Sequence, residues 1–544
     1  MSGVSSTSTI PEVLAVAVEE DTVEFRFHLE DGMVAVPIAG LAERAARGAR
    51  RLLARGVQPG DAVGVLGPNR PEWLVWAHAI WMAGAAVVPL QIPLRIRDPD
   101  AYAEQLSRFV RAAGCRLVLA DPRLAPLLPD DAVAWEEAGE ESGEDPGAPT
   151  ADSTAVIQFT SGSTAAPKGV VLPHGAMTAQ LSFIYHHYYE GNPIGSTVSW
   201  APFFHDLGLV VSVLLSTRSR SPIEVLPTER FARDPAEWLR LVERTRALGT
   251  LGPSSAFGAS IRAAERRGER MDLSSLLVAH FAAEGVDPGV TQSMAETGVR
   301  KFGLPPEALG STYGMAETVL GVSYSPMGGG MKIDRISLEA LAESGVATPA
   351  TDGPSREMVS CGAPVMDLRI AGEDGAALPE RQVGEILVRG PSLMSGYLGE
   401  DVPNPFLNGW MRTGDMGYLG DGELYVSGRA KDIVIMTGQN YYPDDFEWAA
   451  SRVQGVRPGR CVAFAKPETD DLVLLIEPAD GADPGALRQT VKRSVAKTVG
   501  VAPSDILVLP RGTIEKTTSG KLRRAAMRSA YSDGALVAID GGER

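Results

Sequence analysis

The chain has 544 residues, 44% hydrophobic and 22% charged, with a net charge of −17; that is enough apolar chain for roughly two to four globular domains, and the charge excludes general nucleic-acid binding. The acidity is uneven: from Ala430 onward 16 basic residues face 15 acidic ones, which leaves −18 for the first 429 residues. The three cysteines, Cys115, Cys361 and Cys461, lie too far apart for a disulfide framework or a zinc site and suit a reducing cytoplasm, and polar residues 1–12 carry no secretory signal.

Residues 38–54 set Leu41, Ala45, Ala49 and Leu52 on one helical face. A Gly60-Asp61 turn leads into a strand over 62–66, and residues 73–94 then run without a formal charge. Such a run has about the length of a membrane span. His78, Gly84, Pro89, Gln91 and Pro93 interrupt it, however, and divide it into a buried helix (71–83), a glycine turn and a buried strand (86–90), so no membrane span is expected. With a helix over 103–113 and a strand over 116–120, the alternation predicts an α/β fold on a largely parallel sheet. Residues 136–149, acidic and rich in Gly and Pro, predict an exposed loop.

A strand over 155–159 feeds Thr160-Ser161-Gly162-Ser163-Thr164-Ala165-Ala166-Pro167-Lys168-Gly169, and a second apolar run covers 170–172. Glycine admits close backbone approach, hydroxyls and N–H groups donate to phosphate oxygens, and the lysine adds positive charge. A polyphosphate could be wrapped by such a loop. A strand follows the lysine where a Walker A loop would open a helix, and by composition alone the cluster also reads as a plain turn.

Further on, residues 199–209 set His205 and Asp206 among aromatics, a pattern common to structural hydrogen bonds and catalytic pairs. Residues 280–286 close a strand with small side chains. Tyr313-Gly314-Met315-Ala316-Glu317 places an aromatic able to stack on a purine four residues before a hard oxygen ligand suited to Mg²⁺. In Thr413-Gly414-Asp415 the aspartate can accept both hydroxyls of a ribose, although the tripeptide also makes an ordinary turn. Gly428-Arg429-Ala430-Lys431-Asp432 precedes a strand over 433–436, and Ser519-Gly520-Lys521 presents a lysine on a glycine turn near the end.

In order and spacing, the phosphate loop, Tyr-Gly-x-Ala-Glu, Thr-Gly-Asp, Gly-Arg-x-Lys-Asp and the terminal Ser-Gly-Lys resemble the adenylate-forming superfamily of acyl-CoA synthetases, peptide-synthetase adenylation domains and luciferases, over 34–528. Within it, residues 200–209, Ala283-Glu284, residues 438–447 and the stretch 331–356 before Ser360-Cys361-Gly362 resemble fatty acyl-AMP ligases. Ala282 and Gly285 depart from that group's Gly-Ala-Glu-Pro pattern.

The resemblance implies an α/β fold: a large N-terminal domain (1–429) of several subdomains, with parallel sheets flanked by helices, and a small mobile α+β lid (430–544) hinged at Lys431. It implies that a carboxylate attacks the α-phosphorus of ATP, with Mg²⁺ as cofactor, to give acyl-AMP and pyrophosphate. Lys521 would contact carboxylate and α-phosphate. Thr160, Ser161, Gly162, Ser163, Thr164 and Lys168 would hold the outer phosphates, and Glu317 with Thr160 the Mg²⁺. Tyr313, leading into Gly314, Met315 and Ala316, would stack on adenine beside Ala283, Glu284 and Gly285, while Asp415 and Arg429 bind the ribose. His205 would stand at the mouth of an acyl pocket whose apolar candidates are Phe204, Leu209, Val211, Phe257 and Val319; these suit a fatty or bulky carbocyclic acid.

The acyl group is then expected to pass to a thiol. If residues 331–356 form the inserted segment of fatty acyl-AMP ligases, they hinder domain rotation, and the acceptor is a carrier-protein phosphopantetheine or a separate acyltransferase. If they form only a surface loop, the chain is a complete acyl-CoA synthetase using CoA. Arg452, Arg457, Arg460, Arg488, Lys492, Arg493 and Lys497 offer either acceptor a basic docking face, or are a solvated surface. Two further classes stay open: a non-catalytic nucleotide-binding protein of the same fold, and a luciferase-like oxygenase.

Overall fold

The computed structural model describes residues 8–20, 24–93, 96, 98–127, 132–135, 147–160, 168–188, 195–399, 402–436, 439–466, 469, 471–516 and 522–539. Two large sheets carry the first part of the chain. One has nine strands in the order Ala363–Pro364, Ser323–Tyr324, Leu309–Tyr313, Val278–Phe281, Gly249–Gly252, Thr197–Ser199, Ile223–Val225, Glu24–Leu29 and Gly32–Pro37. Its six central strands are parallel and its margins antiparallel. The other has seven strands in the order Gly396–Tyr397, Lys168–Pro173, Thr154–Thr160, Ala86–Pro89, Ala62–Leu66, Cys115–Ala120 and Ala132–Ala134. The first two pairings are antiparallel and the rest parallel, so that only Lys168–Pro173 runs against the other strands.

The helix Ile38–Ala54 buries Leu41, Ala45, Ala49 and Leu52, the face its periodicity predicts. The uncharged stretch resolves into a helix, Pro71–Met82, buried on nearly every side, then Gly84 at φ +75° and the strand Ala86–Pro89. Among the described residues no helix is long and apolar enough to cross a membrane. One continuous core joins this helix, the helices Ile10–Glu20 and His174–Tyr188, and the inward faces of both sheets. Most of the acidic 136–149 stretch lies outside the described residues.

Three antiparallel and mixed layers follow. Asp367–Ala371, Gly384–Arg389, Phe406–Leu407, Trp410–Gly420 and Glu423–Arg429 form a five-stranded antiparallel sheet. Residues 331–356 are largely structured: the strand Ile333–Ser337 leads into the helix Leu338–Ser344 and pairs with Ser355–Val359. Beyond residue 430, a sheet of Val456–Ala465, Leu472–Pro478 and Asp505–Val508 has helices Pro443–Ser451, Pro484–Val499 and Arg524–Ser532 packed on it. Period-two alternation splits its apolar residues: Leu472, Leu474 and Ile476 join one core, Val473 and Leu475 the other.

Candidate active site

Because the central strands of the nine-stranded sheet are parallel, their carboxyl ends open on one side, where ligands of open α/β sheets are held. Residues 200–206 leave Thr197–Ser199 there, 253–255 leave Gly249–Gly252, 282–285 leave Val278–Phe281, and 314–317 leave Leu309–Tyr313. The seven-stranded sheet is tied to the same place: on Thr154–Thr160, Gln158 Nε2 donates to the carbonyl of Phe204 at 2.9 Å. Thr160 pairs with Lys168 at the mouth of the hairpin. The intervening Ser161, Gly162, Ser163 and Thr164 lie outside the described residues.

Asn69 fixes the backbone of the His-Asp segment from both sides, donating to the Ala201 carbonyl at 2.8 Å and accepting from the Phe203 N–H at 2.9 Å. Trp200 stacks on Phe231 with ring centroids 3.7 Å apart. His205 Nδ1 pairs with the carboxylate of its neighbour Asp206, which also accepts from the Leu207 N–H at 2.7 Å. The pair is thus part of a tight turn as well as a feature of the site. Gly208 is required there, since a Cβ would stand 2.0 Å from the Pro202 carbonyl oxygen. A fully buried π-helix, Gly208–Leu215, follows, a form that often marks functional sites.

The five apolar candidates are not gathered into one wall. Val211 joins Ala201, Leu207 and Ala282 in a small cluster flanked by Leu251 and Leu320. Leu209 and Val319 belong to the large core, and Phe257 packs between Trp238 and Phe281 in a second one. Phe204 is buried and contributes its carbonyl to Gln158. Ala282, Leu251 and Leu320, which sequence reasoning passed over, are therefore better placed beside Val211 than Phe257 is.

Ala283 takes a left-handed backbone, φ +70°, uncommon for a residue with a side chain. Glu284 turns away to cap the helix Ser254–Arg266: its Oε1 accepts from the Ser255 N–H at 2.6 Å and from Ser254 Oγ at 3.1 Å. Gly285 faces the helix Pro443–Ser451, for a Cβ on it would lie 3.8 Å from Asp444 and Trp448.

The best-defined contacts join residues far apart in sequence. Tyr313 Oη donates to Asp415 Oδ2 at 2.8 Å, and Arg429 Nε stands 3.3 Å from Asp415 Oδ1. Asp415 and Arg429 face each other in the ladder between Trp410–Gly420 and Glu423–Arg429. Burial and the Asp415 charge push the Tyr313 phenol well above its ordinary range, and the same carboxylate holds Arg429 above its own. Gly314 has no alternative, since a Cβ would fall 1.7 Å from the Leu320 carbonyl oxygen. Met315 and Ala316 then lead to Glu317, whose Oε1 accepts from Tyr397 Oη at 2.8 Å. Lys168 Nζ lies 5.6 Å from the centre of the Tyr397 ring. Burial and the Arg429 guanidinium hold the Lys431 ammonium below its usual value, with Lys168 adding to the effect. Arg429 beside Asp415, and Lys168 over the Tyr397 ring that reaches Glu317, set a cation near each of these two carboxylates, which suits a polyanion.

Lys521 lies outside the described residues. The residues flanking it, Lys516 and Leu522, form an antiparallel bridge, so both ends of that loop meet. Burial lowers the Lys516 ammonium from its ordinary range, and the Glu284 carboxylate opposes that shift. Arg524 anchors the loop's exit, pairing with Asp432 at 3.0 Å, with Asp444 and Glu447 at 2.9 Å, and donating to the Ala463 carbonyl. Across the junction, buried Arg356 stands 3.0 Å from Asp445 and lies over the Tyr442 ring. Around this pair Ile336, Leu341 and Met358 pack with Tyr418, Tyr425 and Tyr442. Residues 331–356 therefore rest on the chain beyond 430. Of the basic candidates, Arg457 pairs with buried Glu477 at 2.8 Å and Arg460 donates to the Ile514 carbonyl, while Lys492, Arg493 and Lys497 are exposed.

The sequence profile of the AMP-binding enzyme family matches residues 29–398. The chain is 36% identical over 504 residues to the protein Rv1013 of Mycobacterium tuberculosis, covering 89% of this chain and 92% of that one. It is 30% identical to the long-chain-fatty-acid–AMP ligase FadD32 of Mycolicibacterium smegmatis, covering 88% and 86%. Among solved structures, a fatty acyl-adenylate ligase from a study of the E. coli and L. pneumophila enzymes superposes with a TM-score of 0.90 at 29% identity, over 97% of this chain and 98% of that one.

Proposed function

Since the chain belongs to the AMP-binding enzyme family, we propose that it adenylates a hydrophobic carboxylic acid, a fatty or bulky carbocyclic acid, with ATP, and that its acyl-AMP passes to a carrier-protein thiol. The observation that carries this reading is a pair of contact sets, Tyr313 and Arg429 on Asp415, and Tyr397 on Glu317 with Lys168 over its ring, with Tyr313 and Glu317 at the carboxyl end of a parallel strand. In the reaction a carboxylate oxygen bonds to the α-phosphorus, the bond to the pyrophosphate oxygen breaks, and pyrophosphate leaves with the electron pair. No proton need move. The chain's task is to bring two anions together and neutralise the charge on phosphorus and leaving group.

Asp415 takes the ribose hydroxyls, held by Tyr313 and Arg429. Tyr313 stacks on adenine beside Ala283, Glu284 and Gly285. Lys168, Thr160 and the loop between them hold the outer phosphates. Lys521, from a lid spanning 430–544 that turns about Lys431, contacts carboxylate and α-phosphate. His205 stands at the entrance for the acid, next to the Val211 cluster. Among the described residues no three His, Cys, Asp or Glu side chains gather as a metal cage. A single carboxylate, Glu317, fits Mg²⁺ carried largely by phosphate oxygens, as that ion prefers; bound there with Thr160, it would neutralise phosphate charge. The chain works in a reducing cytoplasm, where its cysteines stay as thiols.

The packing of residues 331–356 on Tyr442 and the Arg356–Asp445 pair favour a chain that releases acyl-AMP to a carrier-protein phosphopantetheine or a partner acyltransferase, because swinging the lid to admit CoA breaks a buried pair. CoA ligation is the alternative. Mass spectrometry of products from ATP, Mg²⁺ and a panel of acids, with and without CoA, tests both parts. Acyl-AMP without acyl-CoA is expected; acyl-CoA formation would reassign the acceptor, and absence of any adenylate would leave a nucleotide-binding protein.

A further inference from the structure

Residues 394–398 join the two carboxylate- and ammonium-bearing elements of the site. The Met394 N–H donates to the Glu317 carbonyl at 2.9 Å, the Ser395 N–H to Val171 at 2.9 Å and the Leu398 N–H to Gly169 at 2.7 Å. Gly396–Tyr397 is thereby the edge strand against Lys168–Pro173, with Tyr397 opposite Val170. From this fixed backbone the Tyr397 side chain meets the side chains of both Glu317 and Lys168. Its hydroxyl donates to Glu317 Oε1 at 2.8 Å, and its ring lies 5.6 Å from Lys168 Nζ.

A carboxylate and an ammonium left together in a half-buried cleft pair with one another, and a paired lysine is poorly available to phosphate. A phenol between them meets both needs at once: the hydroxyl satisfies one carboxylate oxygen, and the electron-rich ring face satisfies the cation.

Building on the reading of Glu317 as the Mg²⁺-holding carboxylate, we infer that Tyr397 is a positioning residue that holds Glu317 and Lys168 apart and ready for metal and outer phosphates. It touches neither reactant in this role. Its two functions separate by substitution. Tyr397→Phe keeps the ring under Lys168 and loses only the donor to Glu317. Tyr397→Leu loses both and lets Lys168 reach the carboxylate.

The test is calorimetric binding of ATP to the full chain with and without Mg²⁺, alongside the Mg²⁺ dependence of pyrophosphate release, for both variants and for Glu317→Gln. Tyr397→Phe is expected to raise the half-saturating Mg²⁺ concentration about tenfold, as for a lost hydrogen bond to a charged group, with metal-free ATP affinity within about twofold. Tyr397→Leu is expected to weaken metal-free ATP binding as well, by about tenfold. If Tyr397→Phe matches the parent in both measurements while Glu317→Gln shifts the Mg²⁺ requirement, the spacer role is overturned and the metal-binding role of Glu317 stands. If Glu317→Gln leaves the requirement unchanged, both fall. Should Tyr397→Leu not fold, the Phe variant alone decides.

Discussion

At the end proposed for the nucleotide, Glu317, Tyr397 and Lys168, and likewise Tyr313, Asp415 and Arg429, are joined through side chains drawn from distant parts of the chain. At the end proposed for the acid, a single segment, 200–215, supplies His205, Asp206 and Val211, and it is held through its backbone by Asn69 and Gln158. The contrast follows from what each end must recognise. ATP presents fixed charges, and the groups proposed to meet it are locked against one another. A hydrophobic acid presents little but shape, and the end proposed for it is apolar packing on a pinned backbone, where one side chain can change without disturbing a polar network.

Substitutions at the two ends are expected to differ in size and in what they change. The largest is Lys521→Ala, which removes the cation proposed to reach the reacting atoms and leaves the proposed nucleotide contacts in place. Pyrophosphate release should fall by about a thousandfold, the scale of a lost electrostatic stabiliser, with ATP affinity nearly unchanged; an unaltered rate would remove Lys521 from the chemistry. Next, Asp415→Ala takes away the partner of both Tyr313 and Arg429. The KM for ATP should rise about thirtyfold, in keeping with loss of hydrogen bonds to a charge, with little change in preference among acids.

At the other end, Val211→Trp crowds the small cluster with Ala282 and Leu251. It should shift selectivity toward smaller acids by about tenfold, as overpacking costs on the order of 1–3 kcal/mol, with the KM for ATP intact. A parallel rise in the KM for ATP would show that the two ends are not separately built.

The smallest effect on turnover is expected from acid, which acts on the supports of both ends. His78, in the helix behind the seven-stranded sheet, and His280, on the strand leading to Ala282, are buried and held down to about 3; His174 is held to about 4. Each folded value lies below the ordinary 6.5, so the stabilisation is whole above that pH and is lost as pH falls toward the folded values. The unfolding free energy read from urea titrations should therefore drop between pH 7 and pH 5, by about 2 kcal/mol for each histidine. His78→Phe should lessen that drop; an equal drop in the variant would mean that His78 does not titrate as a buried neutral ring.

Local pattern was legible in the sequence wherever the cause was local. The helix Ile38–Ala54 and the strand Ala62–Leu66 have the bounds that periodicity and turns predict. The helix expected over 103–113 is Pro99–Ala112, starting four residues earlier because Asp98 caps it by accepting from the Ala101 N–H and proline fits the first turn. The strands around the phosphate loop reach Thr160 and Lys168, farther than their apolar runs, because these two residues pair across the hairpin. The five-stranded antiparallel sheet, whose strands carry no regular α/β alternation, was not foreseen.

Within the site, motifs mark Tyr313, Glu317, Asp415 and Arg429, but nothing near Gly396 marks Tyr397, whose meaning comes from partners 80 residues away on one side and from the Lys168 strand on the other. Phe257 shows the opposite difficulty: an apolar residue has the same sequence signature in a pocket wall as in a core, and this one packs against Trp238, apart from the cluster around Val211.

The most direct test follows one atom. With a fatty acid carrying heavy oxygen in its carboxyl group, ATP, Mg²⁺ and hydroxylamine as trap, attack on the α-phosphorus predicts AMP bearing one heavy oxygen, released together with an equal amount of pyrophosphate. Unlabelled AMP, or ADP with the label on orthophosphate, would contradict adenylation of the acid.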